Sequence, residues 1–471
     1  MTRTEQTRLP IATLITLAAA TLTASLGISI ASVLLPKLTQ VFSATVSGVQ
    51  WIVLIYLMSI TIAIVPAGRL GDLYGHRRVF TCGLLIFIVA SVLCATAPDL
   101  GVLIAGRALQ GLGGAVLIAL PMSMARDLVP TERLGTAMGL LGMTSAAGTA
   151  LGPSLGGGLL SWSDWRMAFW LLAALGTATL ILAVTALPRN PATRVASIKE
   201  LDLPGTFVLA IALSAYALAT SGDAAGILIQ PMMLFAVALI GVALFVIVET
   251  RVSSPLVPLR LLRDRTTCIG FVMNMTVGTV MMSTLVVGPF FLAFSLGLNV
   301  ALVGLVLAVG PAVSALSGVP AGRLTDRVGA SRVILIGLLQ AVFGLLCLAF
   351  LPLFFGVGGY VVALVVLTPA FQLFLAANNT LVMVGSDKKQ RGRLSGLLGL
   401  SRNLGLMTGA SAIPALFVGF LGTGNVAEAS ARDVAHAFSL TFVVAASLAM
   451  VTLSLAIYGR AGLSRGVTPV A

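Results

Sequence analysis

Chemistry in this chain has to be sought where a charged side chain interrupts a long apolar run. Arg107 stands in LIAGRALQGLGGAV, about a third of the way into an otherwise uncharged stretch. Gln110 follows three residues later on nearly the same helical face. A guanidinium there is costly unless it meets water or a partner. It is expected to face a cavity, where it would bind an anionic group or tune a proton site; the plainer alternative is an arginine satisfied by main-chain carbonyls. Other polar groups within apolar runs are modest: Ser25, Ser29 and Ser32, then Asn274, then Gln372. Each alone reads as an interhelical hydrogen bond, worth about 0.6 kcal/mol in membranes. As a set, with Met281, Met282, Phe290 and Phe291 beside them, they are expected to line a site for an amphiphile. Arg107, Gln110, Ser25, Ser29, Asn274 and Gln372 are thus the candidate substrate and proton residues. Cys82, Cys94, Cys268 and Cys347 lie in apolar runs without metal-ligand spacing, so neither a metal nor a cofactor is expected.

A second kind of signal is repetition. PAGRLGDLYGHRR, from Pro66 to Arg78, recurs 254 positions later as PAGRLTDRVGASR, from Pro320 to Arg332. Eight of thirteen positions agree, among them Gly68/Gly322, Arg69/Arg323, Asp72/Asp326, Gly75/Gly329 and Arg78/Arg332. Gly139, Gly142, Gly148 and Gly152 recur 257 positions on as Gly396, Gly399, Gly405 and Gly409. Two patterns repeating at nearly the same long period indicate two related halves. Gly148, Gly152 and Gly156 also recur at i, i+4, i+8, a bare stripe on which another helix can pack closely. Pro153 permits a bend there, and Gly157 loosens the outer end.

The elements that must carry these residues follow from composition. Hydrophobic residues make up 58% of the 471 residues and charged ones 9%, with a mean hydropathy of +1.08. A soluble domain carries about 25% charge. The apolar runs are continuous rather than alternating, which argues for helices over a barrel. The reading is an all-α integral membrane protein with 14 transmembrane helices, at about 20 apolar residues per span. A six-helix bundle is expected over residues 1–190, two extra helices over 191–265 and a second six-helix bundle over 266–471. Span 2 is expected at about Val49–Val65, span 10 at Ala301–Pro320, and spans 11 and 12 at Val333–Leu353 and Val357–Val384. The net charge of +13 does not mark a nucleic-acid binder, because the basic residues cluster on alternate loops, the positive-inside pattern. Placing both termini in the cytoplasm puts 23 of the 28 Lys and Arg on that side.

The doubled GRLxDxxGxxR turn resembles that of the major facilitator superfamily, and the six-two-six count is similar to its fourteen-span drug:proton antiporters. LIAGRALQGLGGAV, GTALGPSLGG and LDLPG fit the same family, so the resemblance covers essentially the full chain. It implies a conformational switch at Gly68, Arg69, Asp72, Gly75, Arg78, Arg323, Asp326 and Arg332, with Asp72 linking the halves near Leu394. It also implies an antiporter-type helix carrying Gly148, Gly152, Pro153, Gly156 and Gly157.

The chain departs from that family at one place. Those antiporters carry an Asp in span 1 where LGISIASVLLP has Gly27, and no acidic residue lies in the middle of a span. A neutral, zwitterionic or weakly anionic amphiphile therefore fits better than a multiply charged cation. The expected function is proton-coupled export of small amphiphilic compounds from the plasma membrane by a monomer. The alternatives are an uncoupled or proton-symporting carrier of a neutral or anionic metabolite, or a transporter-like membrane sensor. A membrane-embedded transferase would need paired carboxylates for a metal-bound diphosphate; with none in the spans, the chain does not read as an enzyme.

Overall fold

In a computed structural model, the structure describes residues 11–128, 134–188, 202–220, 231–252, 255, 262–383, 388–423 and 425–465, and among them no strand occurs. The helices are α1 (Ile11–Val41), α2 (Val46–Tyr74), α3 (His76–Ala95), α4 (Leu100–Leu128), α5 (Leu134–Trp162), α6 (Arg166–Ala186) and α7 (Leu203–Thr220). They continue with α8 (Pro231–Arg251), α9 (Arg265–Val286), a single turn α10 (Gly288–Phe290), α11 (Val300–Val328), α12 (Ala330–Met383), α13 (Lys388–Leu421) and α14 (Ala431–Arg465). Runs of Leu, Ile, Val and Ala supply helix propensity and lipid solubility together, and in lipid a helix satisfies its own backbone.

The starts of the helices are set by short polar side chains that accept an orphan N–H. Thr45 accepts from Gly48 at 3.1 Å and Asp99 from Val102 at 2.9 Å. Asp202 accepts from Gly205 at 2.9 Å, Asp264 from Thr267 at 2.8 Å and Asn299 from Leu302 at 2.9 Å. Each such cap is worth about 1 kcal/mol. Three of these five caps are carboxylates, which places them at helix ends rather than within spans.

Among the described residues, eleven helices are long and apolar enough to cross a membrane, so the expected count of fourteen is not reached. Three features account for the difference. The 54-residue α12 is broken at Gly356 (φ 52°, ψ −130°), between the expected spans 11 and 12. Its arms, 330–355 and 357–383, fold back on each other: Gln340 Nε2 donates to Val366 O at 2.9 Å. The helix α7 is short, and α5 is not among the eleven.

The doubled motif is also not a loop. α2 continues past Val65 to Tyr74, and α11 continues past Pro320 to Val328, so most of each copy is helical. The reversal is confined to one residue in each: Gly75 at φ 92°, ψ 128° and Gly329 at φ 91°, ψ 141°. The flanking hydrogen bonds match as well. Gly75 N–H donates to Gly71 O and Gly329 N–H to Thr325 O, both at 3.0 Å. Gly68, expected to serve the reversal too, lies within α2, and a Cβ there would meet nothing within 4 Å.

The chain divides into two compact units. One comprises Met1–Ser43, Trp51–Tyr216 and Phe235–Leu256; the other comprises Ala44–Gln50, Ala217–Leu234 and Val257–Ala471. In the first unit α1 packs most extensively on α5, and α3 on α4 and α6. In the second, α9 packs on α13, α11 on α12 and α12 on α14. Its core holds a group of buried rings: Phe291 stacks on Phe438 with centroids 4.1 Å apart, and Tyr360 lies 6.2 Å from Phe291. Phe290 and Phe291, expected beside a binding site, belong to this core and are buried. Because a side chain at φ near +90° is strained, Gly75→Ala and Gly329→Ala should each cost about 1–3 kcal/mol, read as a lower Tm in detergent, whereas Gly68→Ala should leave Tm unchanged.

Candidate functional site

The first unit assembles its candidate residues around Arg107, which sits in the first third of α4 and is 0% exposed. Nε donates to Ile52 O of α2 at 2.9 Å, and Nη2 donates to Gly27 O of α1 at 2.9 Å. Nη1 donates to Gln110 Oε1 at 2.5 Å, and Gln110 Nε2 donates to Ser91 Oγ of α3 at 2.7 Å. The Tyr56 ring lies 4.0 Å from the guanidinium carbon, a cation–π contact. One cation thus draws four helices together through neutral partners. The expected cavity-facing arginine is instead enclosed. Burial of the charge requires acceptors, and main-chain carbonyls supply them. Gln110 is its direct partner, as the i, i+3 spacing predicts.

Tyr56 is the participant that sequence reasoning missed. Its hydroxyl donates to Ala24 O at 3.0 Å. It also occupies the space beside Gly27: a Cβ at Gly27 would stand 2.9 Å from the Tyr56 hydroxyl oxygen, and one at Gly114 would stand 2.7 Å from it. In this structure, then, the place where the resemblance implied a carboxylate is closed by an aromatic ring. The only sequence signal was a tyrosine inside an apolar run, which does not reveal its partner.

The serines and the glycine stripe form a single seam between α1 and α5. Ser25 Oγ and Ser145 Oγ are 2.8 Å apart, and Ser29 Oγ donates to Gly148 O at 3.3 Å. A Cβ at Gly148 would meet Leu22 O at 2.5 Å, and one at Gly152 would overlap the Ser29 hydroxyl. At Gly156 it would fall 2.7 Å from Val33. Pro153 and Gly157 are buried on the same helix. These glycines are needed here because two backbones approach within the reach of a single methyl group.

The second unit repeats this seam between α9 and α13. A Cβ at Gly405 or Gly409 would overlap Met275 O or Thr279 O, and one at Gly278 would stand 2.9 Å from Arg402 O. Asn274 Nδ2 donates to Leu398 O and to Ser401 Oγ, both at 2.8 Å. Gln372 Nε2 donates to Ser314 Oγ at 2.5 Å, joining α12 to α11. Asn274 and Gln372 therefore belong to two different helix contacts, and Asn274 is buried.

The doubled motif presents its charges differently in its two copies. Arg69 Nη2 donates to Pro255 O at 2.6 Å, beyond the end of α8, and Arg77 Nη2 donates to Val184 O of α6 at 2.6 Å. Arg78, Arg323, Asp326 and Arg332 are exposed. The Asp72 side chain, with its expected contact near Leu394, lies outside the described residues. Among the described residues no three His, Cys, Asp or Glu side chains stand together as metal ligands.

Replacing Arg107 by Met should leave the carbonyls of Gly27 and Ile52 without their donor and cost about 2–5 kcal/mol. Arg107→Lys should lose part of that, because one ammonium cannot reach three acceptors in a fork. Gly27→Ala should lower Tm in detergent, and Tyr56→Phe on that background should restore much of the loss. A Gly27→Ala protein as stable as wild type would contradict this packing.

The Major Facilitator Superfamily family model matches residues 17–410 and 266–463 of the chain. An uncharacterized transporter of Escherichia coli (strain K12), YebQ, is 30% identical over 405 residues, 84% of this chain and 88% of that one. The multidrug resistance protein Stp of Mycobacterium tuberculosis (strain CDC 1551 / Oshkosh) is 28% identical over 403 residues, 83% of this chain and 73% of its own. Among solved structures, a bacterial homologue of the human lysosomal transporter Spinster, inward-facing and unoccupied, superimposes with a TM-score of 0.73 at 15% identity. That match covers 98% of this chain and 100% of the other. With two repeated helix seams and matched turns in an all-helical apolar chain, these similarities place the protein in the Major Facilitator Superfamily, as a multi-pass membrane transporter.

Proposed function

We propose that this transporter exports small amphiphilic compounds across the cell membrane by alternating access, in exchange for protons. The observation that carries the reading is the matched pair of glycine-lined seams, α5 on α1 and α13 on α9. Seams of this kind, with main chain against main chain and few interlocking side chains, let helices shift by small amounts without unpacking a core. The name of the Mycobacterium tuberculosis relative supports the drug-like substrate class. Fourteen spans, in a six-two-six order, follow when the second arm of α12, the short α7 and the glycine-rich α5 are added to the eleven. Both termini are assigned to the cytoplasm from the Lys and Arg distribution. The switch is assigned to Gly68, Arg69, Asp72, Gly75 and Arg78 with Arg323, Asp326 and Arg332, and the protein is taken to act as a monomer.

A second reading, an uncoupled or proton-symporting carrier of a neutral or anionic metabolite, draws on one observation. Gly27 is closed over by Tyr56, so α1 presents no acid there to carry a proton. Dye accumulation in everted vesicles separates the two. Export coupled to protons requires carboxyfluorescein accumulation that an uncoupler abolishes and that Asp72→Asn or Gly152→Leu reduces about tenfold, equivalent to 1.4 kcal/mol. Accumulation indifferent to the uncoupler would sink the antiport reading and favour the carrier.

A further inference from the structure

The two seams are built alike, and among the positions at which they differ one carries a charge. At the period of 257 positions, Gly405 and Gly409 correspond to Gly148 and Gly152, and Arg402 corresponds to Ser145. On the partner helices, Gly405 meets Met275 O where Gly148 meets Leu22 O, and Gly409 meets Met282 where Gly152 meets Ser29. By that register, 253 positions apart, Gly278 corresponds to Ser25. The first unit therefore closes this level with two hydroxyls 2.8 Å apart. The second unit has a glycine there, and its Cβ position looks onto Arg402 O.

At this level of the second unit stands a cation that no described residue of the unit neutralises. Arg402 is exposed, and among the described residues no side chain or carbonyl accepts from it. It lies five residues inside the apolar segment Leu397–Leu421, about 7.5 Å along the helix at 1.5 Å per residue. Its backbone is held firmly: Asn274 bonds Leu398 O and Ser401 Oγ just before it, and Gly405 abuts α9 just after. A charge at such a depth is retained when it faces water or a counter-charge, and a guanidinium suits a planar or tetrahedral oxyanion. Arg107, the other arginine within a span, is spent on carbonyls.

We infer that Arg402 is an anion-recognition residue, which takes the carboxylate, sulfonate or phosphate group of an amphiphile. The inference deepens the transport reading and rests on it for the claim that this amphiphile is cargo. The same chemistry could be met by a free anionic amphiphile or by the phosphate of a membrane lipid, and the experiment has an arm for each.

The test is equilibrium binding of carboxyfluorescein to the purified full-length protein in detergent, read by fluorescence anisotropy, with cationic rhodamine 123 as control. Arg402→Gln is expected to weaken carboxyfluorescein binding about tenfold or more, the scale of a lost charge-assisted hydrogen bond, and to leave rhodamine 123 binding unchanged. Arg402→Lys is expected to bind both dyes nearly as wild type does. Should Arg402→Gln fail to fold, Arg402→Met, with its comparable stem, serves in its place. In wild type, displacement of carboxyfluorescein by phosphatidylglycerol but not phosphatidylcholine assigns the anion to lipid. Displacement by neither assigns it to a free amphiphile. Equal carboxyfluorescein binding by Arg402→Gln and wild type would overturn the inference, as would equal loss of both dyes. Proteoliposomes distinguish the two levels: a wild type that binds carboxyfluorescein without moving any dye defeats the transport reading and leaves the anion site standing.

Discussion

A guanidinium sealed inside a helical bundle, with no carboxylate against it among the described residues, is the constraint on which the first unit depends. Arg107 can be kept there only if oxygen atoms come to it, and those atoms belong to two other helices and to Gln110 on its own. Two of the acceptors are carbonyls, of Gly27 and Ile52, and a chain of amide and hydroxyl extends the network from Gln110 to Ser91. The carbonyl at Gly27 carries the clearest lesson. Position 27 needs no side chain, because the Tyr56 hydroxyl stands within contact distance of where one would begin. Missing carboxylate, buried arginine and buried tyrosine are therefore one arrangement, in which dipoles and a ring face replace an ion pair.

Close helix approach is the second organising feature. On α5 and again on α13, glycines recur where any Cβ would strike the main chain of α1 or α9. Without an aqueous hydrophobic effect between helices, dispersion contact and short hydrogen bonds hold such pairs. Small residues bring the backbones near enough for both. The two seams keep the geometry and vary the polar groups on it, with Ser25 and Ser145 in one and Gly278 and Arg402 in the other. Packing is thus shared between the two units while the side chains set on it diverge.

Carboxylates show how a functional vocabulary can be absorbed by structure. Asp99, Asp202 and Asp264 all accept backbone N–H groups at helix starts. That use places these three carboxylates at span edges rather than span centres. It was legible once the spans were placed, since Asp and Asn before an apolar run are helix-start signals. The doubled turn was legible in outline but not in extent. Gly75 and Gly329 are required by their positive φ, whereas the residues preceding them continue a helix, because Pro66 and Pro320 interrupt a backbone bond without ending it.

The sequence by itself determined what depends on composition and period: helices in lipid, two related halves, a repeated turn ended by glycine, a glycine stripe for close packing, and a pairing of Arg107 with Gln110. Each is a local or periodic property, readable because side chains three or four residues apart share a helix face and because 254- and 257-residue repeats preserve position. Only the tertiary structure decided which oxygens hold Arg107, that Tyr56 closes over Gly27, that Ser25 meets Ser145, and that Arg402 is the span arginine left exposed. Those outcomes depend on the rotation and depth of separate helices. A sequence states each helix's own faces but not which face of another will meet them.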